Sequence, residues 1–389
     1  MSNSSSTLDS KESSEVLPGA GGFLRRCRAF LAPLLLLLPF GFPILLSGEF
    51  VPAWMVARAQ KAGIPLLVLQ RYSDHNFSLK VSAANAQRPE VLVLGSSRTN
   101  QWRSKHFYPY TFYNAGNISA RINDLQAVLD RLTYDPRVII FSLDFFMFSD
   151  RWAPHAENVA KNDIVFPSEA AYILRKLLRD ITFGSAPYFP TLREPIYGQM
   201  AVGLQAAQLG NGFRSDGSYQ YGAVYSGKAD GIVTPERAFE RIELGKQPFM
   251  FGDSSDPGQK VAFLNFVNEA KSRGINLVAL TTAYQPPVVE AMASSPRHGL
   301  WREFRSTEFQ SWIKHAGVLA FDFTDTASFN GSEDEFIDSF HPSEPAFSKQ
   351  LLTMWTRKEF SDLLPRLEPE KVAAALQSAT RYEVYRNEF

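Results

Sequence analysis

The sequence predicts an α/β protein in which a parallel sheet is covered by helices on both faces, and three observations carry that expectation. Short apolar runs of strand length stand at Val91-Leu92-Val93-Leu94, Val138-Ile139-Ile140-Phe141 and Ile275-Asn276-Leu277-Val278-Ala279-Leu280. Strands buried on both sides of a sheet need such runs, because neither face can carry polar residues to water. Apolar residues recur at helical spacing elsewhere: Leu125, Val128, Leu129 and Leu132, then Val261, Phe263, Leu264, Phe266, Val267 and Ala270 before Gly274. The apolar runs end in small or polar residues, as at Gly95-Ser96-Ser97-Arg98 and Ser142-Leu143-Asp144, and open α/β sheets bind ligands outside the carboxyl ends of their strands.

Bulk properties exclude several classes. With 389 residues and 45% hydrophobic content the chain can fill a real core. Forty basic residues balance forty acidic ones, and no block of like charge marks a nucleic-acid surface, so no nucleic-acid partner is expected. The single cysteine, Cys27, rules out an intrachain disulfide and a thiolate zinc site. His75, His106, His155, His298 and His315 are scattered without metal-ligand spacing, so no metal is assigned and surface or groove positions are expected for them.

Residues 1–28 read as a disordered cytosolic tail. Residues 29–48 carry no charge, and a helix of that length spans roughly 30 Å, enough for the hydrocarbon of a membrane. Pro33, Pro39 and Pro43 suit a membrane segment better than a soluble helix, while a cleaved signal peptide ending near Ala57-Arg58-Ala59 is the competing reading. Arg25, Arg26 and Arg28 precede the segment and Glu49 follows it, which places the N-terminus in the cytosol and the rest outside.

Residues 49–87 read as a stalk and lead-in, with Ile64 to Leu69 as a short strand or packing segment. The main α/β domain is expected over 88–365. Its first strand, 91–94, is followed by Phe112-Tyr113 with the turn Asn114-Ala115-Gly116-Asn117, then a helix around Leu125 to Leu132 and the strand at 138–141. Regular alternation is lost from about 150 to 255, which reads as an insertion; Asp216-Gly217 and its aromatic neighbours read as a turn, or as the lining of a saccharide or acyl groove. A helix ending at Gly274, the strand from Ile275, a last strand Val318 to Phe323 and a closing helix Phe347 to Trp355 complete the domain, and 366–389 form a helical tail.

Acyl chemistry needs a nucleophile, a base, a group that orients the base and donors for the developing oxyanion. Ser97 lies in a small-residue turn directly after a buried strand. Asp338 and His341 are three residues apart near the C-terminus, close enough for the carboxylate to fix the imidazole tautomer.

Gly95-Ser96-Ser97, Asn114-Ala115-Gly116, Ser142-Leu143-Asp144 and Asp338-Ser339-Phe340-His341 together resemble, in kind and order, the four blocks of the SGNH/GDSL hydrolases, over roughly residues 88–360. The resemblance is nearest to membrane-anchored branches, such as D-alanyl transfer and polysaccharide O-acetylation proteins. It implies a three-layer α/β/α flavodoxin-like fold, with Ser97 as nucleophile, His341 as base, Asp338 as its orienter, and an oxyanion site near Gly116, Ser119 and Asp144. Asp144 departs from the family's asparagine, and an ionised carboxylate would repel an oxyanion. It is therefore either protonated by burial or paired with Arg98 on the neighbouring strand end.

The function implied is an exported acyl-ester hydrolase or O-acyltransferase on an envelope glycan, held in the bacterial inner membrane, needing no cofactor and supplied by a membrane-bound acyltransferase partner. Two alternatives come from other classes: a non-catalytic binding or assembly subunit of an envelope-polysaccharide system, which Asp144 favours, and a lipid or thioester hydrolase, which an apolar lid from the insertion would favour.

Overall fold

A computed structural model describes residues 47–72, 76–152, 174–180, 198–228 and 234–386. The expected tail 1–28 and, except for Ser47 and Gly48, the expected membrane segment 29–48 lie outside the described residues. Among the described residues no helix is long and apolar enough to cross a membrane.

The elements that build the site are, in chain order, α1 (Ala53–Lys61), β1 (Leu66–Val68), α2 (Asn76–Gln87), β2 (Val91–Leu94), β3 (Phe112–Ala115), α3 (Ile122–Arg131), β4 (Val138–Ser142), β5 (Met200–Val202), β6 (Asn211–Arg214), β7 (Tyr219–Tyr221), α4 (Pro235–Leu244), α5 (Pro257–Ser272), β8 (Asn276–Thr281), β9 (Leu319–Asp322), β10 (Phe336–Asp338), β11 (His341–Pro342), α6 (Glu344–Trp355) and α7 (Pro369–Leu376). Five of the strands form a wholly parallel sheet in the order β3-β2-β4-β8-β9. From β2 the chain goes to one side, to β3, and then crosses to β4 on the other, so the ends of β2 and β4 flank a crevice of the kind in which open α/β sheets hold ligands.

Alternation along these strands explains their unbroken apolar runs. Leu92, Leu94, Ile139 and Phe141 pack into one core with Leu125, Val128 and Leu129 of α3 and Phe263, Phe266 and Val267 of α5. Val91, Val93, Val138 and Ile140 enter a second core with Phe347, Leu351 and Met354 of α6. Each such side chain contributes about 1.5–3 kcal/mol through burial. Asp256 caps α5 by accepting the Gln259 amide at 2.9 Å, and Pro257 starts the helix. Val261, expected on the buried stripe of that helix, is 58% exposed; the stripe that meets the sheet is Phe263, Phe266, Val267 and Ala270.

The expected stalk is instead folded structure. β1 pairs parallel with β5 and antiparallel with β6, and β6 pairs with β7, giving a second, four-stranded sheet in the order β5-β1-β6-β7. The lead-in and the expected insertion thus make one unit, and Phe77, Val81, Ala83 and Ala84 of α2 join the main core. Glu49 is fully buried, its carboxylate accepting the amides of Tyr72 at 2.6 Å and Leu204 at 2.9 Å. At the other end, the expected tail is helical, among its described residues, only over α7; past it, Val384 and Tyr385 donate their amides to Glu344 at 3.0 and 3.2 Å.

Buried charges tie the two sheets together. Arg103 donates to Glu344 at 2.7 Å and to Asp216 at 3.2 Å, and Arg214 lies 3.5 Å from Glu344. Lys80 donates to the carbonyls of Asn114, at 2.8 Å, and Gly217, with its ammonium 3.9 Å over the ring of Phe213. Asp216-Gly217 is therefore a turn locked under β3. His106 and His298, for which surface or groove positions were expected, are also buried. His106 accepts the Arg103 amide on Nδ1 at 2.9 Å, so its proton sits on Nε2 and is donated to Ser348 Oγ, also at 2.9 Å.

Burial pushes the His106 pKa from 6.5 down to about 3. The unfolded chain takes up a proton on this imidazole as pH falls below about 6.5, whereas the fold resists it, so the stabilisation is complete above that value and is lost as pH falls toward 3. In urea titrations between pH 6.5 and 4.5, stability of the native protein falls with pH, and His106→Gln flattens that slope whatever it does to the stability at neutral pH. An unchanged slope in the variant would assign the acid sensitivity to other groups.

Candidate active site

Asp338 and His341 face each other as a residue pair between β10 and β11, across a tight turn made by Ser339 and Phe340. The Asp338 carboxylate accepts the amides of Phe340 and His341 at 3.1 and 3.0 Å, and both its oxygens lie 2.8 Å from His341 Nδ1. Burial opposes ionisation of Asp338, but the attraction of His341 and these hydrogen bonds outweigh it and hold the carboxyl below its usual range. An ionised carboxylate only accepts, so Nδ1 carries the imidazole proton and Nε2 is bare. Ser97 Oγ lies 2.9 Å from that Nε2 and donates to it, across 244 residues of sequence.

The turn after β2 presents this hydroxyl. Gly95 has φ +143°, and a Cβ there would lie 2.4 Å from Ser142 Oγ at the end of β4, so only glycine lets the two strand ends close up. Ser97 opens a short 3-10 turn, Ser97–Thr99, and its amide has no acceptor among the described residues. Asn114 braces the turn from β3, donating to the carbonyls of Thr99 at 2.9 Å and Trp102 at 3.0 Å. On the far side of the imidazole, the ring of Tyr221 from β7 stands 6.3 Å from the His341 ring.

Three residues expected around the oxyanion are engaged elsewhere. The Gly116 amide donates to Asn114 Oδ1 at 2.7 Å, and a Cβ on Gly116 would lie 2.4 Å from Thr99 Oγ1, so this glycine serves close packing. The Ser119 amide donates to the Gly95 carbonyl at 3.0 Å. Asp144 is fully buried and receives a hydrogen bond from Arg98 Nη1, the pairing considered from the sequence. Burial raises the Asp144 pKa and Arg98 opposes the rise. Arg98 also donates to the carbonyls of Phe340 at 3.2 Å, Thr282 at 2.6 Å and Ala283 at 2.8 Å, with its guanidinium 3.5 Å over the Tyr284 ring. It therefore links the ends of β2, β4 and β8 to the turn that carries His341.

Ser97 opens into a cavity of about 880 Å³ whose walls include Asn117, Phe146, Arg151, Trp152, Arg241 and Phe340. Asn117, in the left-handed region at φ 71°, has no partner for its side-chain amide among the described residues, and sequence reading took it only as a turn residue. The arrangement can ionise a hydroxyl at an ester carbonyl, since proton acceptor, orienting carboxylate and space for the acyl donor converge on Ser97.

Asp144→Asn removes the charge that balances a buried guanidinium; it is expected to lower unfolding free energy by about 3–5 kcal/mol in denaturant titration and not to accelerate ester cleavage. A faster variant with unchanged stability would mean that position 144 addresses the reacting oxygen. Comparison of the chain with protein-family models, with curated proteins and with solved structures gives no match.

Proposed function

We propose that this chain is a membrane-anchored, extracytoplasmic acyl-ester hydrolase or O-acyltransferase of the SGNH type, acting on an envelope glycan through Ser97, His341 and Asp338, with the five-stranded domain as the flavodoxin-like α/β/α core of that family. The observation that carries the reading is the continuous relay from Ser97 Oγ to His341 Nε2 at 2.9 Å and from His341 Nδ1 to Asp338 at 2.8 Å. The apolar segment 29–48 after Arg25, Arg26 and Arg28 supports the anchor.

Ser97 Oγ attacks the ester carbonyl carbon as its proton passes to His341 Nε2; the tetrahedral intermediate collapses, its C–O bond breaks, and His341 returns the proton to the departing alcohol. Water or a sugar hydroxyl then gives a proton to His341, attacks the acyl-Ser97 ester and restores the serine. Asp338 stays ionised and stabilises the imidazolium at each proton transfer. The free amide of Ser97 and the side-chain amide of Asn117 serve as oxyanion donors, in place of the family's third-block asparagine. No cofactor enters this chemistry, and a membrane-bound acyltransferase would supply acyl groups for the transfer direction. The non-catalytic assembly reading rests on Asp144 alone.

A serine-directed fluorophosphonate is expected to label the full-length protein at Ser97. Ser97→Ala abolishes labelling, and cleavage of a small acetyl ester falls about 10⁶-fold in His341→Ala and about 10⁴-fold in Asp338→Asn. Labelling that persists in Ser97→Ala would dismiss this nucleophile. Asn117→Gly, which suits the left-handed backbone, is expected to lower kcat about 10²- to 10³-fold with little change in KM. A fall in kcat/KM that comes through KM alone, with kcat unchanged, would remove Asn117 from the oxyanion site.

A further inference from the structure

The cavity over Ser97 has an unbalanced charge. Arg98, Arg151, Arg241 and Lys246 line it, and among the described residues no carboxylate does. Arg98 is neutralised by Asp144, and Lys246 lies 2.8 Å from the exposed Glu240. The guanidinium groups of Arg151 and Arg241 have neither an ion-pair nor a hydrogen-bond partner among the described residues. Arg241 is half-buried on α4, so its charge borders low-dielectric wall as well as water. A cleft lined by one sign of charge concentrates ligands of the other, and guanidinium forks match planar carboxylates and phosphates. Arg151 also borders a second cavity of about 550 Å³ that contains Asp150, Asp253 and Asp256, so the section lined by cations without acids is the one above Ser97.

The cavity wall also carries aromatic rings that are fixed in advance. Trp152 donates its indole N–H to the Ala120 carbonyl at 2.7 Å, its own carbonyl accepts from Arg121 at 3.0 Å, and its ring leans on Phe146 with centroids 4.8 Å apart. A half-buried indole in the cavity wall, with its N–H bonded, its ring packed on Phe146 and the Arg121 guanidinium 5.5 Å over it, is ordered before a ligand arrives, and a pre-ordered aromatic ring suits the C–H face of a sugar.

From this juxtaposition we infer that the ligand presented to Ser97 is an anionic saccharide, whose sugar ring stacks on Trp152 and whose carboxylate or phosphate groups pair with Arg151 and Arg241. The inference deepens the esterase reading by naming the class of glycan, and it rests on that reading only for what happens at Ser97. A neutral glycan would leave both guanidinium groups unused, and a polyanion without sugar rings would leave the indole face unused.

Equilibrium binding tests this without requiring turnover. Full-length Ser97→Ala protein in detergent is titrated calorimetrically with oligogalacturonate, with a neutral cello-oligosaccharide of equal length and with inorganic polyphosphate. Oligogalacturonate is expected to bind at least ~10-fold tighter than either other probe and to weaken as salt is raised. Arg151→Gln combined with Arg241→Gln removes about 10-fold of that affinity at an unchanged melting temperature, and Trp152→Ala, which lowers the melting temperature by removing packing on Phe146, weakens both saccharides when titrated below that temperature. Equal binding of the acidic and neutral probes, or unchanged binding in the double arginine variant, would overturn the anionic part. Polyphosphate binding as tightly as oligogalacturonate would overturn the saccharide part. Fluorophosphonate labelling of the wild type without oligogalacturonate binding defeats this inference alone, whereas binding without labelling defeats the esterase reading alone.

Discussion

A guanidinium buried at the crossing point of the main sheet constrains most of the site. Arg98 lies where β2 and β4 diverge, out of reach of water, and a charge in that environment must find full compensation or unfold its surroundings. Asp144 supplies the opposite charge, the carbonyls of Thr282, Ala283 and Phe340 accept three further N–H groups, and Tyr284 covers one face. Asp144 follows β4, and Thr282, Ala283 and Tyr284 follow β8, so satisfying one side chain beyond the end of β2 sets the spacing of three strands. The bond to the Phe340 carbonyl extends that constraint to the turn in which His341 follows, so the serine's neighbour in sequence helps to hold the serine's partner in space.

The underside of the site is held by the same physics. Arg103 and Arg214 converge on Glu344, at the start of α6, and Arg103 reaches Asp216 in the turn between β6 and β7. Burial works against ionisation of Asp216 and Glu344, yet the neighbouring arginines hold both below their usual carboxyl range. Such networks contribute specificity more than net stability: they define which segments meet, because any other pairing leaves a charge stranded. Here they seat the second sheet beside the turn that carries His341 and bring the Tyr221 ring within 6.3 Å of the imidazole. The segments 53–72 and 198–221 are thus part of the site's frame, although neither contributes a reacting group.

A carboxylate at position 144 makes sense in this setting. An asparagine cannot balance Arg98, and Arg98 is the residue that braces the histidine turn. The carboxylate serves the frame, while Asn117 and the Ser97 amide stand at the cavity wall with donors that have no acceptor among the described residues. Strand ends close to one another, as the contact that forbids a Cβ on Gly95 requires, leave room for donors from the adjacent loop.

Local sequence was enough to read the buried strands at 91–94, 138–141 and 275–280, the helices around Leu125 to Leu132, before Gly274 and from Phe347 to Trp355, and the Asp338–His341 pair. These depend on local properties: apolar runs dictate burial on both sides, and a two-residue turn brings positions three apart into contact. What it left undecided depended on distant partners. β1 meets β5 and β6 far along the chain, so the short strand read within 64–69 gave no sign of the sheet it joins, and nothing local to Glu49 announced the amides of Tyr72 and Leu204 that donate to it. Gly116 and Ser119 had the right residue types for an oxyanion loop, but whether an amide is free is decided by which carbonyl or side chain folds against it. The tertiary structure made that choice, because hydrogen-bond and charge compensation of buried groups is a property of neighbours in space and has no period in sequence.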